Sequence, residues 1–354
     1  MSKQKNILVL NQYNSDNLGD QLLNKLLCEK LSEFGMKTIN AGYAQTIPQS
    51  VNYVYEDNIS MSNFVKFKSY CPSSIKYIFR FRNRLKKTAK QIQNESIDAI
   101  VIGGGQLLKS RSVFINCFSF WVKFAKKNDI PIFVFGIGVD DYLTMWEKKM
   151  YSALLSKVEY VNCRDVQSKT ILAKQMGIKK CDLSPDVVFS FSFKEKCIQK
   201  KNIFVIMPYS YNTAKSSFAF SLSHSEYFNM LLKKILQKQD KNLKIVLAAT
   251  TSADAYECFL FKKFLDNKKI SSEIYEITKI EQLVKLYMKT KLLISGRMHA
   301  MIIANKCGVQ VDPIIISSKI RDYKNDYLDK KLDYENVSHE ACEGIERLVQ
   351  AMEK

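Results

Sequence analysis

Short apolar runs alternate along this chain with stretches whose apolar residues recur at every third or fourth position. Asn6–Leu10, Ile97–Ile102, Ile132–Phe135, Glu159–Cys163, Ile203–Met207, Lys244–Ala249, Glu273–Ile277, Leu292–Ile294 and Val311–Ile316 are too short for helices and read as buried strands. Between them the spacing of Leu23, Leu26, Leu27, Leu31 and Phe34 predicts a helix that starts near Asp20 and stops at Gly35. Tyr227–Leu236, Ala255–Phe264, Ile280–Met288 and Ala300–Lys306 repeat that pattern, and Glu340–Met352 reads as one amphipathic helix. A strand–helix rhythm of this kind predicts an α/β protein with parallel sheets. A chain of 354 residues exceeds one ordinary core. The expected architecture is therefore two Rossmann-like parallel-sheet domains facing a cleft. The first would span residues 1–195 on the acceptor side and the second 202–335 with the anion site. Residues 336–354 would form a helix packing back, and the Lys-rich Phe193–Asn202 would be the linker.

Composition narrows the partners. With 46% hydrophobic and 25% charged residues the chain is globular. Its 54 Lys and Arg against 35 Asp and Glu leave +19, which implies anionic partners: a phosphorylated substrate, nucleic acid or an anionic membrane face. The nine cysteines lack CxxC spacing and read as reduced thiols of a cytoplasmic protein, and no cluster has metal-ligand spacing. Ile7–Leu10 is too short for the core of a signal peptide. No run reaches membrane-spanning length; the most apolar one, Ser112–Ala125, is broken by Asn116 and Lys123.

The segment 60–93 is unusual. Phe64, Phe67, Tyr70, Tyr77, Phe79 and Phe81 are interleaved with basic residues that include Lys76, Arg80, Arg82, Arg84, Lys86, Lys87 and Lys90. A helical excursion with a buried aromatic face explains it, as does a segment lying on anionic lipid, or aromatic stacking of nucleotides. Of the two functional readings we carry the membrane surface forward and not nucleic acid.

Candidate chemistry gathers at strand ends, where parallel sheets bind ligands. Asn17-Leu18-Gly19-Asp20 follows the first strand, but the loop has one glycine and no following GK[ST], so it is neither a dinucleotide fingerprint nor a P-loop. Asp20 there is a helix cap or a ligand contact. Gly103-Gly104-Gly105 and Gly136-Ile137-Gly138 end two further strands and permit close approach of a ligand or a helix. Arg164-Asp165 follows another strand, with Asp165 placed to pair with Arg164 or to cap the next helix. Gly296-Arg297-Met298-His299 and then Lys319 stand at the mouths of two successive strands. Arg164, Arg297, His299 and Lys319 together suggest an anion seat. His299 is a structural residue or a proton carrier, and its shared turn with Gly296 and Arg297 favours the second.

In this order, the residues Asn17-Leu18-Gly19-Asp20, Gly103-Gly104-Gly105, Gly136-Ile137-Gly138, Arg164-Asp165 with Ser168, Pro185-Asp186, Gly296-Arg297-Met298-His299-Ala300 and Lys319 make the chain resemble the polysaccharide pyruvyl transferase family over nearly its whole length. The resemblance implies the two-domain B-type glycosyltransferase fold. It implies transfer of pyruvate from phosphoenolpyruvate to a sugar as a ketal, with release of phosphate. Arg164, His299 and Lys319 would hold the donor, with Arg297 and Gly296 beside it. His299 would move a proton, and Asp20 or Asp165 would be the base. Asn17, Gly19, Asp20, Gly103, Gly104, Gly105, Gly136 and Gly138 would line the acceptor side. No metal or cofactor is called for, phosphoenolpyruvate being a co-substrate. The acceptor would be a sugar, free or lipid-linked, met at the inner face of the cytoplasmic membrane.

Gln21, Val309-Gln310-Val311 and Ile314-Ile315-Ile316-Ser317-Ser318 depart from the family's usual residues. The alternative is a B-type glycosyltransferase using a nucleotide sugar. The residues assign no acceptor sugar and no oligomeric state.

Overall fold

A computed structural model describes residues 4–44, 81–193, 202–218, 220–238, 243–330 and 332–354. Residues 194–201 of the expected linker Phe193–Asn202, with Lys76, Arg80 and the aromatic residues of 60–80, lie outside the described residues.

The first sheet is entirely parallel, in the order β2-β1-β3-β4-β5-β6. Its strands are β1 (Asn6–Asn11), β2 (Lys37–Gly42), β3 (Ala99–Leu108), β4 (Ile132–Val139), β5 (Tyr160–Cys163) and β6 (Asp182–Leu183). The helices interleaved with them are α1 (Leu18–Glu33), α2 (Arg82–Ile92), α3 (Phe114–Lys127), α4 (Met145–Leu155) and α5 (Val166–Met176). The second sheet, also parallel, comprises β7 (Ile203–Met207), β8 (Lys244–Ala248), β9 (Glu273–Tyr275), β10 (Thr290–Ser295) and β11 (Gln310–Pro313), in the order β11-β10-β7-β8-β9. Its helices are α6 (Tyr211–Ser217), α7 (His224–Lys238), α8 (Ser252–Asn267), α9 (Ile280–Met288), α10 (Met298–Lys306) and α11 (Ser318–Tyr323), and α12 (Tyr334–Glu353) ends the chain. Central strands are buried on both faces, which is why they read as continuous apolar runs rather than alternating ones.

Several boundaries differ from the sequence expectation for local physical reasons. Helix α1 begins at Leu18, two residues before Asp20, because the Asn17 side chain accepts from Gly19 N at 3.0 Å and is the cap. Strands β3 and β4 continue through their glycines instead of ending at them. Gly104 and Gly105 hold φ of 75° and 83°, values that would strain any other residue. A Cβ on Gly104 would overlap the Leu23 side chain of α1, so this glycine sets the closeness of helix to sheet. The segment Val187–Ser190 is a 3-10 turn capped by Asp186, which accepts from Val188 N at 3.0 Å. Ser112–Ala125 corresponds to α3, whose Ile115, Phe118, Trp121 and Val122 are buried in the first core.

In α2, Leu85, Thr88, Ala89 and Ile92 are buried while Arg82, Lys86, Lys87 and Lys90 are exposed and Arg84 is intermediate. This is the amphipathic face expected of a solvated helical excursion.

The two sheets share an apolar cluster that runs from Leu22 and Leu23 of α1 to Ile302 and Ile303 of α10. Helix α12 returns to the first sheet. Gly344 lies so close to Ser184 that a Cβ would overlap it, Arg347 donates to Leu183 O at 3.1 Å, and Lys5 donates to Met352 O at 2.7 Å. Across the cleft, Leu18 N donates to Thr250 O at 3.1 Å and Ser252 N donates to Asp16 Oδ2 at 2.9 Å. The loop after β1 is therefore tied to the N-terminus of α8.

Candidate active site

A cavity of about 200 Å³ opens between the domains. The first domain contributes Asn17, Gly19 and Asp20 from the start of α1 and Gly104 and Gly105 from β3; the second contributes Gly296, Arg297, His299 and Lys319. The local fold explains the β10–α10 turn. Ser295 is wholly buried and its Oγ accepts from Arg297 N at 3.0 Å, which turns the chain. At Gly296 a Cβ would stand 3.3 Å from Ile316 and 3.4 Å from Tyr209, so the turn packs without a side chain.

Arg297 points into a partner that the sequence did not suggest. Its Nε and Nη2 donate to the two oxygens of Asp254 at 2.6 and 2.8 Å, and its guanidinium lies 4.1 Å from the centre of the Tyr209 ring. Asp254 Oδ1 also accepts from Ser210 N at 2.9 Å. Burial opposes the charge on Arg297, and Asp254 outweighs it, holding the guanidinium above its ordinary value. Arg297 lines the cavity with its Nε and Nη2 engaged by Asp254 and its Nη1 without a hydrogen bond to a described residue.

Arg164 is held differently. It is 3% exposed and reaches from the end of β5 to Asp186, donating from Nη1 to Oδ2 at 3.1 Å. His299 Nε2 comes within 3.4 Å of the same Asp186 oxygen. Asp186 is also 3% exposed; burial acts to raise its carboxyl, yet His299 and Arg164 hold it below the usual carboxylate range. Arg164 Nε and His299 Nε2 are buried without a hydrogen-bond partner among the described residues. Lys319 makes no hydrogen bond to a described residue; burial, and after it Arg164, push its ammonium down to about 7.

Two motif glycines make room for this group. A Cβ on Gly138 would stand 2.8 Å from Arg164 Nη2, and one on Gly19 would overlap the His299 imidazole. Arg164 and His299 thus meet at Asp186, while Lys319 lines both the main cavity, which Arg164 does not reach, and a smaller one that holds Arg164.

The remaining sequence candidates fall into three groups. Asn17 and Asp20 line the cavity; Asn17 is occupied as the α1 cap, and Asp20 Oδ2 accepts from Ser15 Oγ at 3.3 Å. Asp165 fills both of its structural roles. Its Oδ1 accepts from Ser168 N at 2.6 Å as the α5 cap, and its Oδ2 lies 3.7 Å from Arg164 Nε. Gly103 and Gly136 face packing rather than the cavity: a Cβ on Gly103 would stand 2.6 Å from Leu27, and one on Gly136 would lie 3.9 Å from Gly104 Cα.

Sequence reasoning missed Asp254, which stands just before the expected helix Ala255–Phe264, and Asp186 as a charge partner, although Pro185-Asp186 belonged to the family pattern. It also missed Asp322, beside Lys319 and Arg164, whose carboxyl burial and Asp141 push up to about 6.

No helix among the described residues is long and apolar enough to cross a membrane. The fold is similar to those of several solved proteins. MnaA of S. aureus, solved with UDP, matches with a TM-score of 0.54 and 11% identity over 98% of this chain and 95% of that one. UDP-GlcNAc 2-epimerase of Neisseria meningitidis matches with a TM-score of 0.52 and 11% identity over 99% of both chains. An α-glucosyltransferase solved with UDP and DNA matches with a TM-score of 0.50 and 10% identity over 99% and 100%. At these identities the likeness is one of fold: α/β, two parallel sheets, the B-type glycosyltransferase architecture. No curated protein is similar in sequence at a significant level. The family model for polysaccharide pyruvyl transferase matches residues 17–318, from the α1 cap to the first turn of α11, and the chain belongs to that family.

Proposed function

We propose that this protein transfers pyruvate from phosphoenolpyruvate to a sugar as a ketal and releases phosphate. The observation that carries the reading is the meeting of Arg164 and His299 at Asp186, with Lys319, which makes no hydrogen bond to a described residue, on a cavity wall shared with each of them. A donor with a carboxylate and a phosphate needs several fixed hydrogen-bond donors of this kind. Leaving a buried donor unfilled is expensive without a ligand, since buried polar groups normally find partners.

In this scheme Arg164 and Lys319 hold the anionic groups. A bound anion restores the Lys319 proton that burial tends to remove. One sugar hydroxyl adds to C2 of the donor while C3 gains a proton. Phosphate then departs, stabilised by the cations, and a second hydroxyl closes the ketal with loss of its proton. His299 is the proton carrier and Asp20, on the opposite wall, the base; Asp165 is the weaker candidate because its oxygens are engaged. Arg297 acts by holding the turn that carries His299.

The test is phosphate release from phosphoenolpyruvate with a panel of galactosides, mannosides and N-acetylhexosaminides. Sugar-dependent release that His299→Ala lowers by ~10²-fold or more supports the assignment. Thermal stabilisation by nucleotide sugars and none by phosphoenolpyruvate would instead support the nucleotide-sugar glycosyltransferase reading, which the UDP-bound fold relatives keep open. A lipid-linked acceptor would place the protein at the cytoplasmic membrane face, with Arg82, Lys86, Lys87 and Lys90 of α2 as its exposed cations. Failure to co-sediment with anionic vesicles at low salt would remove that part of the proposal.

A further inference from the structure

Beside the main cavity lies a second one of about 170 Å³ that shares Gln106, Phe218, Ile316 and Ser317 with it. Its own walls bring together groups with no work elsewhere. Tyr142 is 65% exposed and makes no ring contact or hydrogen bond with a described residue. Ile315 beside it is 46% exposed. Arg321 is exposed and forms no ion pair with a described residue. Asp140 engages one carboxylate oxygen, which accepts from Ser110 N at 3.3 Å, and leaves the other open. The Gln106 carboxamide, on the wall common to both cavities, has no hydrogen bond to a described residue.

The chemistry of this side cavity differs from that of the main one. The main cavity collects cationic donors. Here the walls carry one carboxylate and one guanidinium, so neither sign of charge is favoured. An aromatic face, an aliphatic side chain, a carboxamide, a carboxylate and a guanidinium together suit a neutral ring with an apolar face and hydroxyls around its rim. That is a pyranose. A nucleotide phosphate would meet Asp140, and an apolar chain would leave Asp140, Gln106 and Arg321 unpaired.

We propose that this side cavity is a second sugar subsite, holding the residue next to the one that is pyruvylated, so that the acceptor is an oligosaccharide and not a free monosaccharide. This rests on the function proposed above. The reacting sugar occupies the main cavity between Asp20 and His299, and the glycan leaves past Ile316 and Phe218 onto Tyr142.

The test is calorimetric titration of galactose, mannose and N-acetylglucosamine, each as the mono-, di- and trisaccharide with β-1,4 linkage, against wild type and Tyr142→Ala. For one sugar series the affinity should rise roughly tenfold from mono- to disaccharide, as a ring stacked on an aromatic face requires. Tyr142→Ala should remove that rise and leave monosaccharide affinity unchanged; Arg321→Ala, a smaller change at the surface, should reduce it. Equal affinity at all lengths, a gain that survives Tyr142→Ala, or no binding by any member of the panel would overturn the subsite. Thermal stabilisation by phosphoenolpyruvate in the same samples reports on the donor reading separately, because Tyr142 lies outside the main cavity.

Discussion

Two arginines stand at the ends of strands in this protein, one in each domain, and they are paired in opposite ways. Arg297 gives its Nε and Nη2 to a single carboxylate, and that carboxylate in turn ties down the Ser210 backbone. Arg164 gives one nitrogen to Asp186 and keeps a buried Nε unfilled. Both stand in the turn between a strand and the next helix, Arg164 directly after β5 and Arg297 one residue further on, as the residue that precedes α10. What separates them is how firmly a carboxylate fixes each: two parallel hydrogen bonds hold Arg297 and one holds Arg164, and a buried pair is kept for geometry more readily than for stability.

Removing the carboxylate of one arginine and the side chain of the other separates their roles most directly. Asp254→Ala leaves the half-buried Arg297 charged without its partner, and should cost up to about 3 kcal/mol in denaturant unfolding. Arg164→Ala should instead cost at least ~2 kcal/mol of phosphoenolpyruvate binding, read by titration. If Asp254→Ala weakens donor binding without loss of stability, the two arginines have been assigned the wrong way round.

A smaller effect concerns Lys319, whose ammonium is pushed down to about 7 from an ordinary value of 10.5. Between those two pH values the unfolded chain holds a proton that the folded one lacks, so the unliganded protein gains stability as pH rises through that window. Below about pH 7 the penalty of the buried charge is fully present. Lys319→Met should therefore raise the unliganded melting temperature at pH 7 while lowering donor-induced stabilisation. In wild type, donor affinity should fall as pH rises above 7, because the binding ammonium is lost. A melting temperature lowered by Lys319→Met would contradict this account of the residue.

The family and the α/β class were legible because they depend on local order. Apolar runs too short for helices had to be strands, and helices between them force parallel pairing through crossovers. The ends of those strands named the positions of Arg164, Arg297, His299 and Lys319 before any geometry was known. Asp20 and Asp165 show the limit of such reading. Both are acids at helix starts, yet the cap of α1 is Asn17, while Asp165 does cap α5. Only the backbone path after each strand distinguishes them.

From the sequence alone come the two parallel sheets, the places where ligands would be met and the excess of cations at those places. These follow from periodicity and chain order, which are one-dimensional. The pairing of Arg297 with Asp254, 43 residues away in the chain, was decided only in three dimensions. So was the crowding that makes Gly19 a glycine on account of His299, across the cleft between domains. Hydrogen-bond capacity is shared out only when distant segments are brought into contact, and that sharing, rather than the identity of the residues, determines which donors remain free for a ligand.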